Sequence, residues 1–338
     1  MLQLVKLIDM HCDTITGLYD RRIKEGSVEN LRKNSMHLDI EKLKKGNYML
    51  QNFAIFQSLK KHENMFEDSI KYIDYFYQEM EANRDCISMV RAYDDIIRNE
   101  KEGKISALLT IEEGAEVEGK LEFLRTFYRL GVRMITLTWN YENGIGYPNF
   151  HYEEGKTPDM KSRNTIDGLT PFGISFVEEM ERLGIIIDVS HLSDAGFYDV
   201  LRYTKKPFVA SHSNAMHCCN NCRNLTDDMI RRLSERGGVT GINFCPSFLD
   251  EVPMEDERKA YASVEKMIVH ISHLKKVGGI DCIGLGTDFD GIEGNLEIKD
   301  ASYMQMLVEG LEKAGFTSVE IEAICYKNVL RVYREILK

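Results

Sequence analysis

The chain has 338 residues, of which 43% are hydrophobic and 29% are charged, a mixture typical of a globular protein with a sizeable core. Its formal net charge is −11 and no Lys/Arg block offsets it, so nucleic acid and anionic membranes are poor candidate partners. No apolar run approaches the roughly 18 residues of a transmembrane helix and no signal-peptide pattern opens the sequence, which predicts a cytoplasmic protein.

Eight short apolar segments, each bounded by polar or turn residues, are predicted to be β-strands. They are too short for helices and rich in Ile, Val, Leu and Thr, which is typical of strands buried on both faces. In chain order they are residues 5–13, 48–56, 105–112, 132–139, 185–191, 207–212, 239–244 and 282–289.

Segments with helical periodicity lie between these strands. The alternation of strand and helix predicts right-handed βαβ units and a parallel sheet, and eight such units predict a (β/α)₈ TIM-type barrel. We expect residues 1–338 to form this one domain, with the helical residues 318–338 packed on the barrel. The other predicted helices are 65–84, 120–130, 170–184, 193–204, 226–238 and 263–279.

Three residues of the stretch "DMHCDT", residues 9–14, could bind a metal at the end of the first predicted strand. Side chains alternate along a strand, so His11 and Asp13 share one face and Cys12 lies on the other. In a barrel of this type the chemistry lies at the C-terminal ends of the strands. His11 and Asp13 are therefore candidate ligands, and Cys12 is expected to pack between barrel and helices.

Four other predicted strands also end in a side chain suited to metal binding or proton transfer. Any single histidine has an ordinary structural explanation, but three that close strands of one barrel form a pattern that chance rarely produces. The stretch "GLGTDFDG" supports a functional role for its first aspartate, because glycines let the backbone approach a ligand closely. The four residues are Glu112, His191, His212 and Asp288.

Imidazole and carboxylate side chains together suit Zn²⁺ or a similar divalent ion. Three histidines and two carboxylates are too many for one open tetrahedral site, and they fit two ions that share a bridging carboxylate. Such a pair can hold a hydroxide at neutral pH and polarise the bond under attack. Asp288 would then be free to transfer a proton as an acid or base.

Seven motifs in this order resemble the renal (membrane) dipeptidase family, zinc peptidases within the amidohydrolase-like metal-dependent barrels, and suggest a soluble member of bacterial type. They span nearly the whole chain and are highly specific when taken together. The motifs are "IDMHCDT", "LLTIEEGAEVEG", "IIIDVSHLS", "PFVASHSNA", "CRNLTDD", "GGVTGINF" and "CIGLGTDFDGI".

The resemblance implies a dipeptidase with two zinc ions and a dipeptide substrate. One zinc would be held by His11 and Asp13, and the other by His191 and His212. Glu112 would bridge them, since strand alternation turns the adjacent Glu113 away and the family pattern also favours Glu112. The resemblance further implies that Asp288 is the catalytic acid/base and that the chain forms a homodimer.

The resemblance also assigns residues that contact the substrate. Arg223 matches the arginine that receives the free carboxylate of the dipeptide, a task that suits a guanidinium fork. Many members have a histidine at the end of strand four that polarises the substrate, and this sequence has Trp139 there. Asn140 or Asn143 could supply the missing hydrogen-bond donor, or a metal alone could stabilise the charge.

Two alternatives differ from this interpretation. The chain could be another amidohydrolase-type enzyme, such as a deaminase, lactonase or phosphotriesterase, because one barrel supports many reactions. The absence of a lysine at the strand ends argues against members with a carbamylated lysine bridge. The chain could instead be an inactive metal- or peptide-binding homologue, for which Trp139 is the only support.

The eight cysteines are more typical of reduced thiols than of a disulfide framework, because the chain is long and lacks a secretion signal. The stretch "HCCNNC", residues 217–222, has no second half with comparable spacing, so it is not expected to be a zinc knuckle. It is interpreted as part of the substrate loop before Arg223.

Overall fold

A closed ring of eight parallel strands forms the centre of the computed structural model, which describes residues 4–61, 63–150, 159–251 and 260–338. The ring runs in the order β2-β1-β10-β8-β7-β6-β5-β4 and is closed by pairing of β2 with β4. Strand β3 pairs with the first part of β4 outside the ring, and β9 pairs with β11 in a separate small sheet. The strands are β1 (Leu7–Asp9), β2 (Tyr48–Phe56), β3 (Ile87–Met89), β4 (Ile105–Glu112), β5 (Val132–Thr136), β6 (Ile186–Asp188), β7 (Val209–Ala210), β8 (Val239–Ile242), β9 (Tyr261–Ala262), β10 (Ile283–Leu285) and β11 (Asn295–Leu296).

Helices surround the ring, and one of them, α6 (Pro171–Leu183), shows which residues begin and end a helix here. In α6, the Thr170 side chain accepts a hydrogen bond from the backbone N–H of Gly173, Pro171 is the first helical residue, and Gly184 ends the helix with φ 85°. The helices are α1 (Thr14–Glu25), α2 (Ile40–Gly46), α3 (Met65–Ala82), α4 (Tyr93–Lys101), α5 (Leu121–Arg129), α6 (Pro171–Leu183), α7 (Asp194–Tyr203), α8 (Asp227–Glu235), α9 (Pro246–Leu249), α10 (Val264–Gly278), α11 (Gln305–Lys313), α12 (Ser318–Glu322) and α13 (Asn328–Ile336). None of those in the described ranges is both long and apolar enough to span a membrane.

The C-terminal helix α13 packs against the barrel interior. Its Val329, Val332 and Tyr333 belong to the same buried cluster as residues inside the barrel, such as Leu50 and Leu108. A second, larger cluster fills the layer between strands and helices and includes Cys12, as predicted. The end of the barrel opposite the strand C-termini is thus filled with side chains, and polar chemistry is confined to the other end.

The predicted barrel is confirmed, and each of the eight predicted strands contains one strand of the ring. The predicted strands 185–191 and 282–289 extend beyond the observed β6 and β10, because the chain leaves strand geometry before His191 and Asp288. The sequence did not predict β3, β9 and β11. It also did not predict the helices α1, α2, α4, α9 and α11.

Candidate active site

The residues singled out at the strand ends converge at the C-terminal mouth of the barrel. Glu112 is the last residue of β4, and the others follow the strands directly or after a short turn. All of them are buried, although each carries a polar or ionisable side chain. They are His11, Asp13, Glu112, His191, His212 and Asp288.

The Glu112 carboxylate lies between two pairs of side chains. Its Oε2 is 3.1 Å from His11 Nε2, and that nitrogen is 3.5 Å from Asp13 Oδ2. Its Oε1 is 3.1 Å from His191 Nε2 and 3.5 Å from His212 Nε2. Each oxygen of one carboxylate therefore faces a different pair, which is the arrangement that a bridging ligand requires.

Hydrogen bonds orient two of the histidines with Nε2 toward Glu112. His191 Nδ1 is 2.7 Å from the side-chain Oδ1 of Asn140, an acceptor, so Nδ1 carries the proton. The Ser211 hydroxyl donates to Asp188 and accepts from His212 Nδ1 at 2.7 Å. Both rings thereby present an unprotonated Nε2, the form that binds a metal.

Buried aspartates fix the backbone that carries these histidines. Asp188 accepts hydrogen bonds from the side chain of Thr136 and from the backbone N–H groups of Ser190 and Ser211. Asp9 accepts from both the backbone and the side chain of Thr287, next to Asp288. These contacts tie neighbouring strand ends together, so the ligand set is built on rigid elements.

Several buried polar atoms at the centre have no hydrogen-bond partner among the described residues. They are His11 Nδ1, His11 Nε2 and Asp13 Oδ1. A buried polar atom without a partner is costly, which indicates that a ligand completes the site. Two groups of three potential ligands occur here, each with its atoms within 4.8 Å of one another: His11, Glu112, His212 and His11, Asp13, Asp288. The donor set and the unpartnered atoms both fit divalent metal ions.

The charges at the centre favour cations. Although burial alone would raise it, the charge of His11 and the close approach of the histidine rings hold the pKa of Glu112 well below its usual range. Burial lowers the pKa of His212 to about 4, which keeps that imidazole neutral near pH 7. The centre therefore offers an ionised Glu112 carboxylate and a neutral imidazole.

Two of the candidate residues have a left-handed backbone. His191 has φ 69° and Asp288 has φ 63°, a conformation that non-glycine residues rarely adopt. Gly291 makes room beside Asp288, since a Cβ at that position would overlap the carboxylates of Asp13 and Asp288. Backbone strain of this kind clusters at functional sites, where the surrounding structure holds it.

Asp288 lies beside His11 and is held by the residue that follows β8. Its Oδ1 is 3.9 Å from His11 Nε2, and its Oδ2 accepts a hydrogen bond of 2.9 Å from the Asn243 side chain. Burial raises the pKa of Asp288 to about 7, the range in which a carboxyl group can both give and take a proton.

Arg223 is buried near the centre without a carboxylate partner in the described part of the chain. Its Nε has no hydrogen-bond partner there, Nη2 lies 3.5 Å from the backbone carbonyl of His212, and the guanidinium lies 5.4 Å from the Phe248 ring centroid. A buried guanidinium with free donors is suited to an anionic group of a ligand.

The indole ring of Trp139 lines the mouth on the side of His191. Their ring centroids are 6.1 Å apart, and Phe56 and Tyr141 contact the same indole at 4.9 Å and 5.5 Å. Asn140, expected to contact substrate, accepts a hydrogen bond through its Oδ1 from His191 Nδ1.

Glu113 and Asn143 stabilise the loop after β5 through hydrogen bonds. Glu113 accepts hydrogen bonds from the backbone of Ala115 and Trp139 and from the side chain of Asn143. Asn143 also donates to the carbonyl of Leu137, so its amide is not available as the substrate donor considered above. Glu113 lies in none of the metal-binding groups found among the described residues.

Sequence reasoning missed the supporting residues Asp9, Asp188, Ser211 and Asn243. A signal existed for the two aspartates, because each is an acidic residue within an otherwise apolar strand and shortly precedes a histidine. Asn243 gave no such signal, since only the fold brings it to Asp288.

Comparison with known proteins agrees with this geometry. A family model described as membrane dipeptidase (peptidase family M19) matches residues 1–338. A dipeptidase of Schizosaccharomyces pombe, itself uncharacterized, is 33% identical over 314 residues, which cover 88% of this chain and 72% of that protein. Dipeptidase tcpJ of Claviceps purpurea is 30% identical over 310 residues, which cover 89% and 69%.

Solved structures have the same fold over nearly the full chain. The dipeptidase AC, a metallopeptidase of family M19, matches with a TM-score of 0.88 and 26% identity over 99% of both chains. A metallopeptidase from Rhodobacter sphaeroides, bound to a phosphinate mimic of the dipeptide L-Ala-D-Ala, matches with a TM-score of 0.86 and 25% identity over 99% of this chain and 100% of that one. The present chain therefore belongs to the membrane dipeptidase family, peptidase family M19, and has the barrel fold and the metal-dependent dipeptidase class that its sequence predicts.

Proposed function

We propose that this protein hydrolyses dipeptides at a centre of two divalent metal ions, with Zn²⁺ as the expected ion. The observation that carries the proposal is the Glu112 carboxylate, whose two oxygens face two separate pairs of potential ligands. One ion would bind His11 and Asp13, and the other His191 and His212, with Glu112 shared. When bound, two such ions supply an activated water and polarise the peptide carbonyl.

Asp288 is the acid/base in this proposal. Its burial keeps its pKa near neutrality, and it lies next to the first ligand pair rather than within the pair around His191. It can accept a proton from the attacking water and donate it to the leaving amine. The hydrogen bond from Asn243 holds one of its oxygens and leaves the other, Oδ1, facing His11.

Arg223 binds the free C-terminal carboxylate of the dipeptide in this proposal. Its burial and unpartnered Nε support this role, because an ion pair formed away from water is strong and directional. A buried anchor for the terminal carboxylate also limits substrate length. The phosphinate mimic of L-Ala-D-Ala bound to the Rhodobacter sphaeroides relative supports a dipeptide-sized ligand.

Trp139 and Asn140 line the part of the site that contacts the N-terminal end of the dipeptide in this proposal. A groove of about 430 Å³ opens beside Asn140 and is lined by aromatic residues that include Tyr141 and Tyr147. We infer that Trp139 contributes packing, while Asn140 acts through His191.

The proposal is tested by hydrolysis of a panel of L-L and L-D dipeptides by the zinc-loaded protein, with each matched dipeptide amide as a control. Dipeptides should be cleaved and the amides, which lack the carboxylate, should be cleaved far more slowly. Asp288→Asn should keep its metal and lose about 10²–10⁴-fold in kcat. Cleavage unchanged in Asp288→Asn, or equal cleavage of acids and amides, would refute the assigned roles.

We also infer a reducing compartment, such as the cytoplasm, because all eight cysteines are free thiols. A homodimer is proposed on family resemblance alone. Sedimentation of the purified protein tests it.

A further inference from the structure

Three potential metal ligands converge away from the candidate active site. His217 lies in the loop after β7, Asp227 is the first residue of α8, and His273 lies in α10. One ligand atom from each lies within 4.8 Å of the other two. His217 is exposed, and the other two are partly exposed.

The three side chains already contact one another. His273 Nε2 is 2.7 Å from Asp227 Oδ1, and the imidazoles of His217 and His273 are stacked with centroids 4.3 Å apart and planes 4° apart. The backbone below them is fixed, because the buried His270 accepts a hydrogen bond from the backbone of Ala215, two residues before His217. The positions of the three side chains are therefore set by contacts among them and by the backbone that carries them.

We propose that His217, Asp227 and His273 form a further divalent-metal site, separate from the catalytic centre. Two imidazoles and one carboxylate favour a borderline ion such as Zn²⁺ over Mg²⁺ or Ca²⁺. Ligand atoms around tetrahedral zinc are about 3.4 Å apart, given bonds of about 2.0–2.1 Å. Binding would require the exposed His217 side chain to rotate out of the stacked arrangement, and solvent would supply the fourth ligand.

This site would link three segments near the proposed substrate anchor. The loop that carries His217 begins after His212 and leads to Arg223, and Asp227 follows shortly after. A bound ion would tie this loop to α8 and α10. It would thereby stabilise the folded state by an amount that rises with the logarithm of the free ion concentration once that concentration exceeds the Kd.

The test is equilibrium dialysis of the metal-loaded holoenzyme against a series of free Zn²⁺ concentrations, with the ions bound per chain counted at each step. Wild type should bind one ion more than His217→Ala, and Asp227→Asn and His273→Gln should each lose the same ion or bind it more than about tenfold more weakly. In thermal unfolding, added Zn²⁺ should raise the Tm of wild type further than that of His217→Ala.

Two variants in the same loop serve as controls. Asn220 is exposed and is not a member of the cluster, so Asn220→Ala should keep the extra ion. Cys218→Ser should also keep it. Equal binding by wild type and His217→Ala overturns the proposal, as does loss of the ion in either control. These outcomes are differences between variants, so they do not depend on how many ions the active site holds.

Discussion

Single residues at the mouth of the barrel have specific local surroundings that determine their chemistry. Three of the carboxyl groups at this mouth differ in their contacts. Glu112 is surrounded by histidines and held ionised, whereas burial raises the pKa of Asp288 to about 7. Glu113 accepts three hydrogen bonds from its own and a neighbouring loop. In the proposed mechanism, carboxyl groups thus fill a ligand position at Glu112 and an acid/base position at Asp288, while Glu113 fills a structural position.

Asn140 is expected to act on metal binding through His191. Asn140→Ala removes the acceptor that holds the His191 proton on Nδ1, which should weaken metal affinity by about 10–100-fold. Asn140→Asp keeps an acceptor oxygen and is the matched control. Metal affinity is measured by competition with a chelator. Equal affinities for wild type and Asn140→Ala would show that the hydrogen bond does not orient the ligand.

The sequence predicted the positions of the site residues better than their conformations. Strand alternation placed His11 and Asp13 together because they follow directly on β1. The left-handed backbone of His191 and Asp288 was not predicted, because Asp and His adopt it more often than most residues but still only in a minority of cases. The contact of Asn140 with His191 was not predicted either, since propensity and pattern do not reveal which side chain a loop amide will contact.

At the level of elements, α10 is tied to the active-site loop by one buried histidine. His270 Nδ1 accepts from the backbone of Ala215, and Nε2 donates to the carbonyl of Leu249. Only the neutral imidazole can make both bonds. Burial accordingly lowers the pKa of His270 to about 4 from its usual 6.5.

This lowered pKa predicts a loss of stability in acid. Between pH 6.5 and pH 4 the unfolded chain binds a proton at His270 that the folded chain does not, so the free energy of unfolding falls as the pH falls. The loss should be on the order of 3 kcal/mol by pH 4. Denaturant unfolding of wild type and His270→Gln across this range checks it. The variant should show a smaller fall, and parallel curves would contradict the assignment.

Helix α13 contributes a polar contact inside the barrel as well as apolar packing. The hydroxyl of the buried Tyr333 is 2.7 Å from the Asn52 side-chain Nδ2 and 3.0 Å from its Oδ1. Tyr333→Phe leaves Asn52 Oδ1 without its donor, which should cost about 1–3 kcal/mol of stability. Tyr303→Phe, at an exposed position, should cost much less. Similar unfolding free energies for the two variants would count against the contact.

Sequence patterns predicted some of the helices and strands and missed others. Long periodic helices such as α3 and α10 and the apolar strands of the ring were predicted because burial sets their composition. Strand β3 was missed because it pairs outside the ring, where only its first residue is buried, so burial does not set its composition. The partner of α13 could not be predicted in detail, because helical periodicity identifies an apolar face and not the surface that it covers.

Along the barrel axis, the apolar packing that stabilises the fold and the polar residues of the candidate active site lie at opposite ends. Helix α13 and the apolar cluster fill one end, and the polar centre lies at the other. The βα alternation made this division predictable, because a closed parallel barrel brings all strand C-termini to one face. The two oxygens of Glu112 face two different pairs of potential ligands. No local sequence pattern encodes this arrangement, since it depends on the relative position of four strands.

We propose above that Glu112 bridges two metal ions. Anomalous X-ray diffraction at the zinc edge, from crystals of the zinc-loaded protein, is the decisive measurement. Two peaks are expected to flank the Glu112 carboxylate, one within bonding distance of His11 and Asp13 and the other within bonding distance of His191 and His212. A single peak at this carboxylate, or no peak there, would contradict it.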